Sequence, residues 1–169
     1  MKRLKYRVGF FAAILACLAL TSAHAVERGI LPLATDLSKD AKLARDKQIP
    51  ILILFSMTGC VYCDRVRDEV LIPTTRNAEY DNKVIMVEVD YSNLSKMIDF
   101  NGKTTTQAAF AAKNRIGLTP TVKFFDSQGR EVADPIVGLV TVDYYGGFLD
   151  QAIDASIAKI RRDQPVLSF

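Results

Sequence analysis

The sequence has no tryptophan, one histidine and three cysteines among its 169 residues. His24 and Cys17 lie in an N-terminal segment that we expect to be removed, which leaves Cys60 and Cys63 and no histidine. Without histidine, the chain cannot form a Ser-His or Cys-His catalytic pair. A zinc site would need two further ligands, and haem attachment would need histidine where Asp64 follows Cys63. We therefore predict no metal and no cofactor, with a metal or cluster shared between subunits as the alternative.

The first 25 residues have the pattern of an export signal. A basic start is followed by an uncharged apolar run over residues 8–20, and Ala23 and Ala25 are the small residues that signal peptidase accepts. The run is shorter than the roughly 20 residues of a membrane span. We therefore predict a signal peptide over residues 1–25 and a single domain over residues 26–169, with an N-terminally membrane-anchored protein as the alternative.

Removal of this segment changes the charge of the chain. Four of the 22 Lys+Arg residues leave with it, so 18 remain against 19 Asp+Glu, a net charge of 18 − 19 = −1 instead of +3. The basic character of the full sequence is therefore a feature of the leader, and we predict no binding to nucleic acid. Export would place the cysteines in an oxidising compartment, and we expect the bacterial periplasm.

The most informative stretch surrounds the two remaining cysteines. Residues 51–55 are an apolar run, residues 56–59 contain a turn signal, and Cys60-Val61-Tyr62-Cys63 follows. The charged residues after Cys63 alternate with apolar ones at helical spacing. This pattern predicts a buried strand, a turn and a helix that begins at the cysteines.

The remaining pattern predicts an α/β fold. We expect the helix that begins at the cysteines to end before Pro73, because proline disfavours a helical conformation in the residue that precedes it. Residues 91–104 are predicted to be a polar connection, and Thr141 to cap the last helix. Further helices are predicted over residues 36–47 and 105–114, and further strands over residues 84–90, 121–125 and 131–137, the last two as an antiparallel hairpin.

At this point the chain resembles the thioredoxin superfamily. The resemblance rests on Phe55, the Gly59–Cys63 segment, Asp90, the run Gly117-Leu118-Thr119-Pro120-Thr121, Gly129 and Gly138. A Cys-x-x-Cys pair alone is a weak signal, but here a Thr-Pro follows after a second βα unit. The resemblance implies a three-layer α/β fold, with a central mixed sheet of about four strands flanked by helices.

The start of a helix favours negative charge, so we assign Cys60 as the nucleophile and Cys63, one turn further on, as the resolving thiol. A structural disulfide is the alternative. The resemblance implies that Pro120 is a cis-proline facing the cysteines and that Thr119 turns its backbone toward an extended substrate. The predicted substrate-binding residues are Gly59, Val61, Tyr62, Thr119 and Pro120.

The chain departs from thioredoxins at the buried proton relay. Leu54 occupies the place of their buried acid, and Met86 the place of their lysine. The proton acceptor for Cys63 must then be another group. Glu88, on the same strand face as Met86, is a candidate, but we interpret it in the first place as a solvated acid at the strand end.

The pattern resembles the periplasmic reductases and isomerases, including proteins associated with sulfur oxidation and cytochrome maturation. An isomerase would need a dimerisation domain before the fold, and the related oxidase carries a helical insertion for which residues 91–104 are too short. We therefore predict a monomeric reductase of protein disulfides, kept reduced by a membrane electron donor. The alternatives are a dithiol oxidant or isomerase of the same fold, or a non-catalytic binding module.

Overall fold

The computed structural model describes residues 29–139 and 141–163. The predicted signal peptide, residues 1–25, lies outside the described residues, so its removal stays a prediction. In the part of the chain that is described, no helix has the length and apolar character needed to cross a membrane.

A mixed four-stranded sheet forms the centre of the fold. The strands are β1 (Ile51–Ser56), β2 (Ile85–Asp90), β3 (Lys96–Ile98), β4 (Thr104–Thr106), β5 (Thr121–Phe125) and β6 (Ile136–Val137). Strand β1 pairs in parallel with β2 and antiparallel with β5, and β5 pairs antiparallel with β6, giving the order β2-β1-β5-β6. A separate antiparallel pair joins β3 and β4. The predicted fold class is confirmed.

Helices cover both faces of this sheet. Asp36 caps the first helix, since its carboxylate accepts the N–H groups of Ser38 and Lys39. Thr141 stands at the N-cap of the last helix, but its side chain makes no capping hydrogen bond there. The helices are α1 (Leu37–Lys47), α2 (Val61–Arg65), a π-helical segment (Val66–Leu71), α3 (Ile72–Arg76), a 3-10 turn (Ala78–Asn82), α4 (Gln107–Lys113) and α5 (Val142–Arg162).

All six residues of β1 are buried, because each face of the sheet has its own core. On one face, Leu52 and Leu54 belong to a cluster with Val66 and Leu71 of the π-helical segment and Leu149 of α5. On the other, Ile51, Ile53 and Phe55 belong to a cluster with residues of α1 and α4. Each such side chain contributes about 1.5–3 kcal/mol when fully buried. The first cluster fixes the helix that carries the cysteines against β1.

The helix after the cysteines does not end before Pro73, and that prediction was wrong. It continues through the π-helical segment into α3, where Pro73 lies in the first turn. The Ile72 N–H donates to the Arg67 carbonyl, a five-residue step that resets the hydrogen-bond pattern immediately before the proline. The π-helical step thus lies immediately before a residue that has no N–H to donate, and it lets the helix continue past the proline.

Two other predicted boundaries also change. Residues 91–104 are not a plain connection: they include β3 and the start of β4, and Ile98 N–H donates to the Thr35 carbonyl at 3.0 Å. The last strand is shorter than residues 131–137, with only a single bridge between Glu131 and Phe125 before β6. Pro135 stands immediately before β6 and has no N–H to donate to a ladder.

Alanine variants of Gly102 and Gly129 test the packing of Phe100 beneath the turn that contains Gly129. Gly102 and Gly129 have φ of +75° and +74°, but only at Gly129 would a Cβ meet a neighbour, Phe100 Cδ2 at 2.7 Å. The Phe100 ring is packed against Phe110 and Phe125. We expect Gly102→Ala to cost about 1 kcal/mol in unfolding free energy from its backbone conformation, and Gly129→Ala about 1–3 kcal/mol more from overpacking. Urea unfolding of both variants measures the difference, and equal losses would contradict the steric account.

Candidate active site

The two cysteines form a disulfide at the start of α2. The bond joins Cys60 and Cys63 with their Cα atoms 5.2 Å apart. Cys60 is the N-cap residue, and its Sγ accepts the Cys63 N–H at 3.2 Å. Cys60 is half-buried and Cys63 is fully buried. A substrate can therefore reach Cys60 and not Cys63, which is the arrangement that the assigned roles require.

The local backbone explains why Cys60 favours a negative charge. The first N–H groups of a helix have no intrahelical partner and point toward the N-cap side chain. Here the Cys63 N–H already lies within hydrogen-bonding distance of the Cys60 sulfur. A thiolate at this position gains both that donor and the positive end of the helix dipole. The site is thus built for a nucleophilic sulfur.

A second segment approaches Cys60 from the start of β5. The Thr119–Pro120 peptide bond is cis, and the Thr119 hydroxyl lies 3.7 Å from Cys60 Sγ. Pro120 is buried and Thr119 is half-buried. Because β5 pairs directly with β1, the residues before β5 reach the same end of the sheet as the turn after β1. Thr119 and Cys60, which are 59 positions apart in sequence, thereby come together.

The turn before Cys60 is held by hydrogen bonds to the end of β2. The Thr58 hydroxyl donates to Asp90 Oδ2 at 3.0 Å, and the Thr58 N–H donates to the Ser92 hydroxyl at 3.1 Å. Ser92 in turn donates from its N–H and hydroxyl to Asp90 Oδ1. Gly59, next to Cys60, adopts a φ of +78°, which glycine reaches without steric cost. These contacts fix the position of the turn from which Cys60 projects.

A groove of about 550 Å³ opens beside Cys60. Val61 and Tyr62 are 68% and 59% exposed and line it together with Thr119. Gly59 is exposed in the preceding turn, and the structure does not place it among the residues lining the groove. The other apolar side chains of the groove are Met57, Tyr91, Ile116 and Leu118. The structure thus brings Val61, Tyr62 and Thr119 of the predicted site to one surface.

Tyr91 is a groove residue that we did not select from the sequence. It directly follows β2, and its N–H donates to the Ser56 carbonyl at the end of β1. The carboxyl ends of neighbouring parallel strands meet at one edge of a sheet. By this rule, the first residue after β2 lies beside the turn that precedes Cys60. The strand pattern could therefore have identified Tyr91 as a site residue.

Glu88 is neither solvated nor free. Its side chain is 9% exposed, and both of its oxygens accept from Arg67: Nε to Oε2 at 2.7 Å and Nη2 to Oε1 at 2.5 Å. These hydrogen bonds raise the pKa of the Arg67 guanidinium above its usual value. The interpretation of Glu88 as a solvated strand-end acid is therefore wrong, because the long side chain of Arg67 covers it. Leu54 and Met86 are buried in the apolar cluster on the same face of the sheet.

Among residues 29–139 and 141–163, no group of three or more His, Cys, Asp or Glu side chains is arranged to hold a metal ion.

A variant of Thr119 tests its contact with the nucleophile. In the reduced protein the Thr119 hydroxyl can donate to the Cys60 thiolate, so Thr119→Val should lower the thiolate fraction at neutral pH. We expect iodoacetamide to alkylate Cys60 about threefold to tenfold more slowly, the effect of losing about 1 kcal/mol from one hydrogen bond to a charged group. Thr119→Ser keeps the hydroxyl and is the matched control. An unchanged rate in Thr119→Val would show that the hydroxyl does not act on the thiolate.

The Asp90 contacts predict a dependence of stability on pH. Partial burial works to raise the pKa of the Asp90 carboxyl, but hydrogen bonds from Ser92 and Thr58 outweigh it and hold that pKa below its usual range. A lowered pKa means that the stabilisation is complete above the unfolded-state value of about 3.9 and is lost as the pH falls through the folded-state value.

Asp90→Asn should therefore lower the unfolding free energy by about 0.5–1 kcal/mol at pH 7, the low end for a partly solvated site. The difference from the unmodified protein should shrink below about pH 4. Urea unfolding at both pH values measures it, with the exposed Asp68→Asn as control. A difference that is the same at both pH values would mean that the charge of Asp90 is not involved.

A comparison with solved structures finds similarity at low sequence identity. A structure of DsbH oxidoreductase superimposes with a TM-score of 0.56 and 15% identity, over 80% of this chain and 92% of that one. Thioredoxin f from spinach chloroplast gives a TM-score of 0.49 and 18% identity, over 75% and 96% of the two chains. A thioredoxin of Malassezia sympodialis gives 0.46 and 18%, over 73% and 96%. At such identities the likeness concerns the fold alone.

No curated protein sequence matches the chain significantly. A family model described as a thioredoxin-like domain, in contrast, matches residues 37–153, which is more than half of the sequence. The matched region contains the cysteine pair, the Thr119–Pro120 bond and all four strands of the central sheet. The chain belongs to the thioredoxin-like family.

Proposed function

We propose that this protein is a periplasmic thiol–disulfide oxidoreductase that reduces disulfides of exported proteins through Cys60 and Cys63. The thioredoxin-like fold and the cysteine pair support thiol–disulfide oxidoreductase activity. The single observation that carries the proposal is the geometry at Cys60. Its sulfur is accessible at a helix start, next to Thr119 and to an open groove, while Cys63 is buried behind it.

The reaction transfers two electrons from the protein to its substrate. The Cys60 thiolate attacks one sulfur of the substrate disulfide, so that a mixed disulfide forms and the other substrate sulfur leaves as a thiolate. Cys63 then loses its proton, and its thiolate attacks Cys60 Sγ. The Cys60–Cys63 bond forms, the mixed disulfide breaks, and the second substrate thiolate leaves. The substrate is reduced to two thiols and the protein is oxidised to the disulfide.

The groove beside Cys60 favours an apolar, extended substrate segment. Met57, Val61, Tyr62, Tyr91 and Leu118 are all at least 40% exposed around it. Such side chains make non-directional contacts and do not require a particular sequence. We propose that the backbone at Thr119 adds the segment as an extra strand beside the site. Exported proteins that expose apolar residues near a non-native disulfide would be suitable substrates.

The proposed direction of electron flow and the proposed location rest on the sequence pattern. The predicted signal peptide supports the periplasm, and a reductase there needs a source of electrons, for which we propose a membrane electron donor. We also propose that the protein acts as a monomer. An oxidant would differ in redox potential, not in the identity of its cysteines.

An insulin-reduction assay tests the enzymatic proposal. The reduced protein should precipitate insulin chains in the presence of dithiothreitol. Cys60→Ser should abolish turnover, because the remaining thiol, Cys63, is buried and cannot reach the substrate. Mixed with insulin without dithiothreitol, which would cleave the mixed disulfide, reduced Cys63→Ser should stop after the first step and retain an insulin chain on Cys60. A failure of the unmodified protein to turn over, together with a potential below about −300 mV, would instead mean a structural disulfide.

Equilibration against glutathione tests the direction. A reductase should have a Cys60–Cys63 potential near the thioredoxin value of about −270 mV. A value near about −120 mV, as in a strong oxidant, would replace the reductase proposal by the dithiol-oxidant alternative.

A further inference from the structure

The amide side chain of Gln107 lies buried between two backbone segments at the end of β2. Gln107 is the first residue of α4 and is 1% exposed. Its Oε1 accepts the Asp90 N–H at 3.2 Å, and its Nε2 donates to the Ala34 carbonyl. A glutamine amide carries both an acceptor and donors, so one side chain satisfies both of these backbone groups.

The Gln107 amide replaces a backbone hydrogen bond at the edge of the sheet. The chain before α1 runs beside β2, where the Glu88 N–H donates to the Pro32 carbonyl at 2.8 Å and the Ala34 N–H to the Glu88 carbonyl at 2.7 Å. In a parallel pair the next bond would run from the Asp90 N–H to the Ala34 carbonyl. The amide lies between these two groups and binds both. The last residue of β2 is thus held although the neighbouring chain turns away into α1.

The start of α4 also holds the loop that follows β2. The Gln107 N–H donates to the Ser95 carbonyl at 3.1 Å, and the Ala108 N–H donates to the Asn93 carbonyl at 3.0 Å. The first N–H groups of a helix have no partner within the helix, and here the loop carbonyls supply one. Together with the side-chain amide, these bonds fix residues 90–95 against α4.

The segment that α4 holds is the one that fixes the turn before Cys60. Asp90 accepts the Thr58 hydroxyl, and the Ser92 hydroxyl accepts the Thr58 N–H. Cys60 follows Thr58 by two residues, and its sulfur lies 3.7 Å from the Thr119 hydroxyl. A continuous series of hydrogen bonds therefore leads from the buried amide to this turn. A displacement of the end of β2 would move Cys60 relative to Thr119.

We propose that Gln107 is a positioning residue for the nucleophilic sulfur. Its buried amide fixes the end of β2, and the Asp90 carboxylate there fixes the turn, so that Cys60 stays beside the Thr119 hydroxyl. An apolar side chain in its place would leave a backbone N–H and a carbonyl buried without partners, a cost that a shift of the end of β2 would relieve. The inference rests on the proposed exchange chemistry at Cys60, but not on the reductase direction or on protein substrates.

Gln107→Met tests the proposal, because methionine is a flexible apolar side chain of similar length without the amide. In the reduced variant, iodoacetamide should alkylate Cys60 about threefold to tenfold more slowly at neutral pH, since the contact with the Thr119 hydroxyl is the one that a displaced turn weakens. A less stabilised thiolate also favours the disulfide. The Cys60–Cys63 potential, measured against glutathione, should therefore become about 15–30 mV more negative, which is the same factor converted at about 30 mV per tenfold.

Thr58→Val breaks the same series of hydrogen bonds at its other end, in an exposed turn, and should slow alkylation by a similar factor. Because both changes act on one contact, Gln107→Met/Thr58→Val should be about as slow as the slower single variant, whereas independent effects would multiply. Ser156→Ala is the matched control. It removes a buried hydroxyl that donates to the Ala152 carbonyl within α5, and it should change neither the rate nor the potential.

Two results would overturn the proposal. A Gln107→Met protein that is less stable but keeps the rate and the potential would make Gln107 merely structural, and multiplying effects in the double variant would mean that it does not act through the turn. If Gln107→Met does not fold, an unchanged rate in Thr58→Val, or fast hydrogen exchange of the Asp90 amide in the unmodified protein, would still contradict the proposal. These assays need only the dithiol, so they give an answer even if insulin is not reduced.

Discussion

The burial of β1 between two apolar cores is the constraint on which the site depends. All six of its residues are buried, with a parallel neighbour on one side and an antiparallel neighbour on the other. A strand held in this way has one register, because a shift by one residue would exchange its two faces. The chain must leave the sheet at Ser56, and the turn that follows delivers Cys60 to the edge where β2 ends and β5 begins.

The site is assembled from segments that are far apart in the chain but adjacent at that edge. Asp90 and Ser92 hold the turn, Thr119 approaches the sulfur, and Tyr91 lines the groove. None of these contacts depends on the exposed residues between the cysteines. Val61 and Tyr62 thereby remain exposed, while the position of Cys60 is set by buried strands and by hydrogen bonds behind it.

The parts of this arrangement that are local in sequence could be predicted, and the parts that depend on distant partners could not. Apolar runs identify β1, β2 and β5, and the Cys-x-x-Cys with its later Thr-Pro identifies the family. The continuation of the helix through Pro73 depends on a π-helical segment, which hydrophobic periodicity does not reveal. Likewise, the position of Glu88 in the sequence predicts a solvated acid at the end of a strand. Its burial depends on pairing with Arg67, which lies 21 residues earlier.

The contacts of the Cys60 sulfur bear on the proposed direction of electron flow. A thiolate that is strongly stabilised favours the reduced protein and makes it an oxidant. Here the contacts of the Cys60 sulfur come from neutral donors, the Cys63 N–H and the Thr119 hydroxyl. Arg67, the cation on the same helix, is already shared between Glu88 and Asp64. Because its charge is compensated locally, it adds little to the stability of the thiolate, which is what the proposed reductase requires.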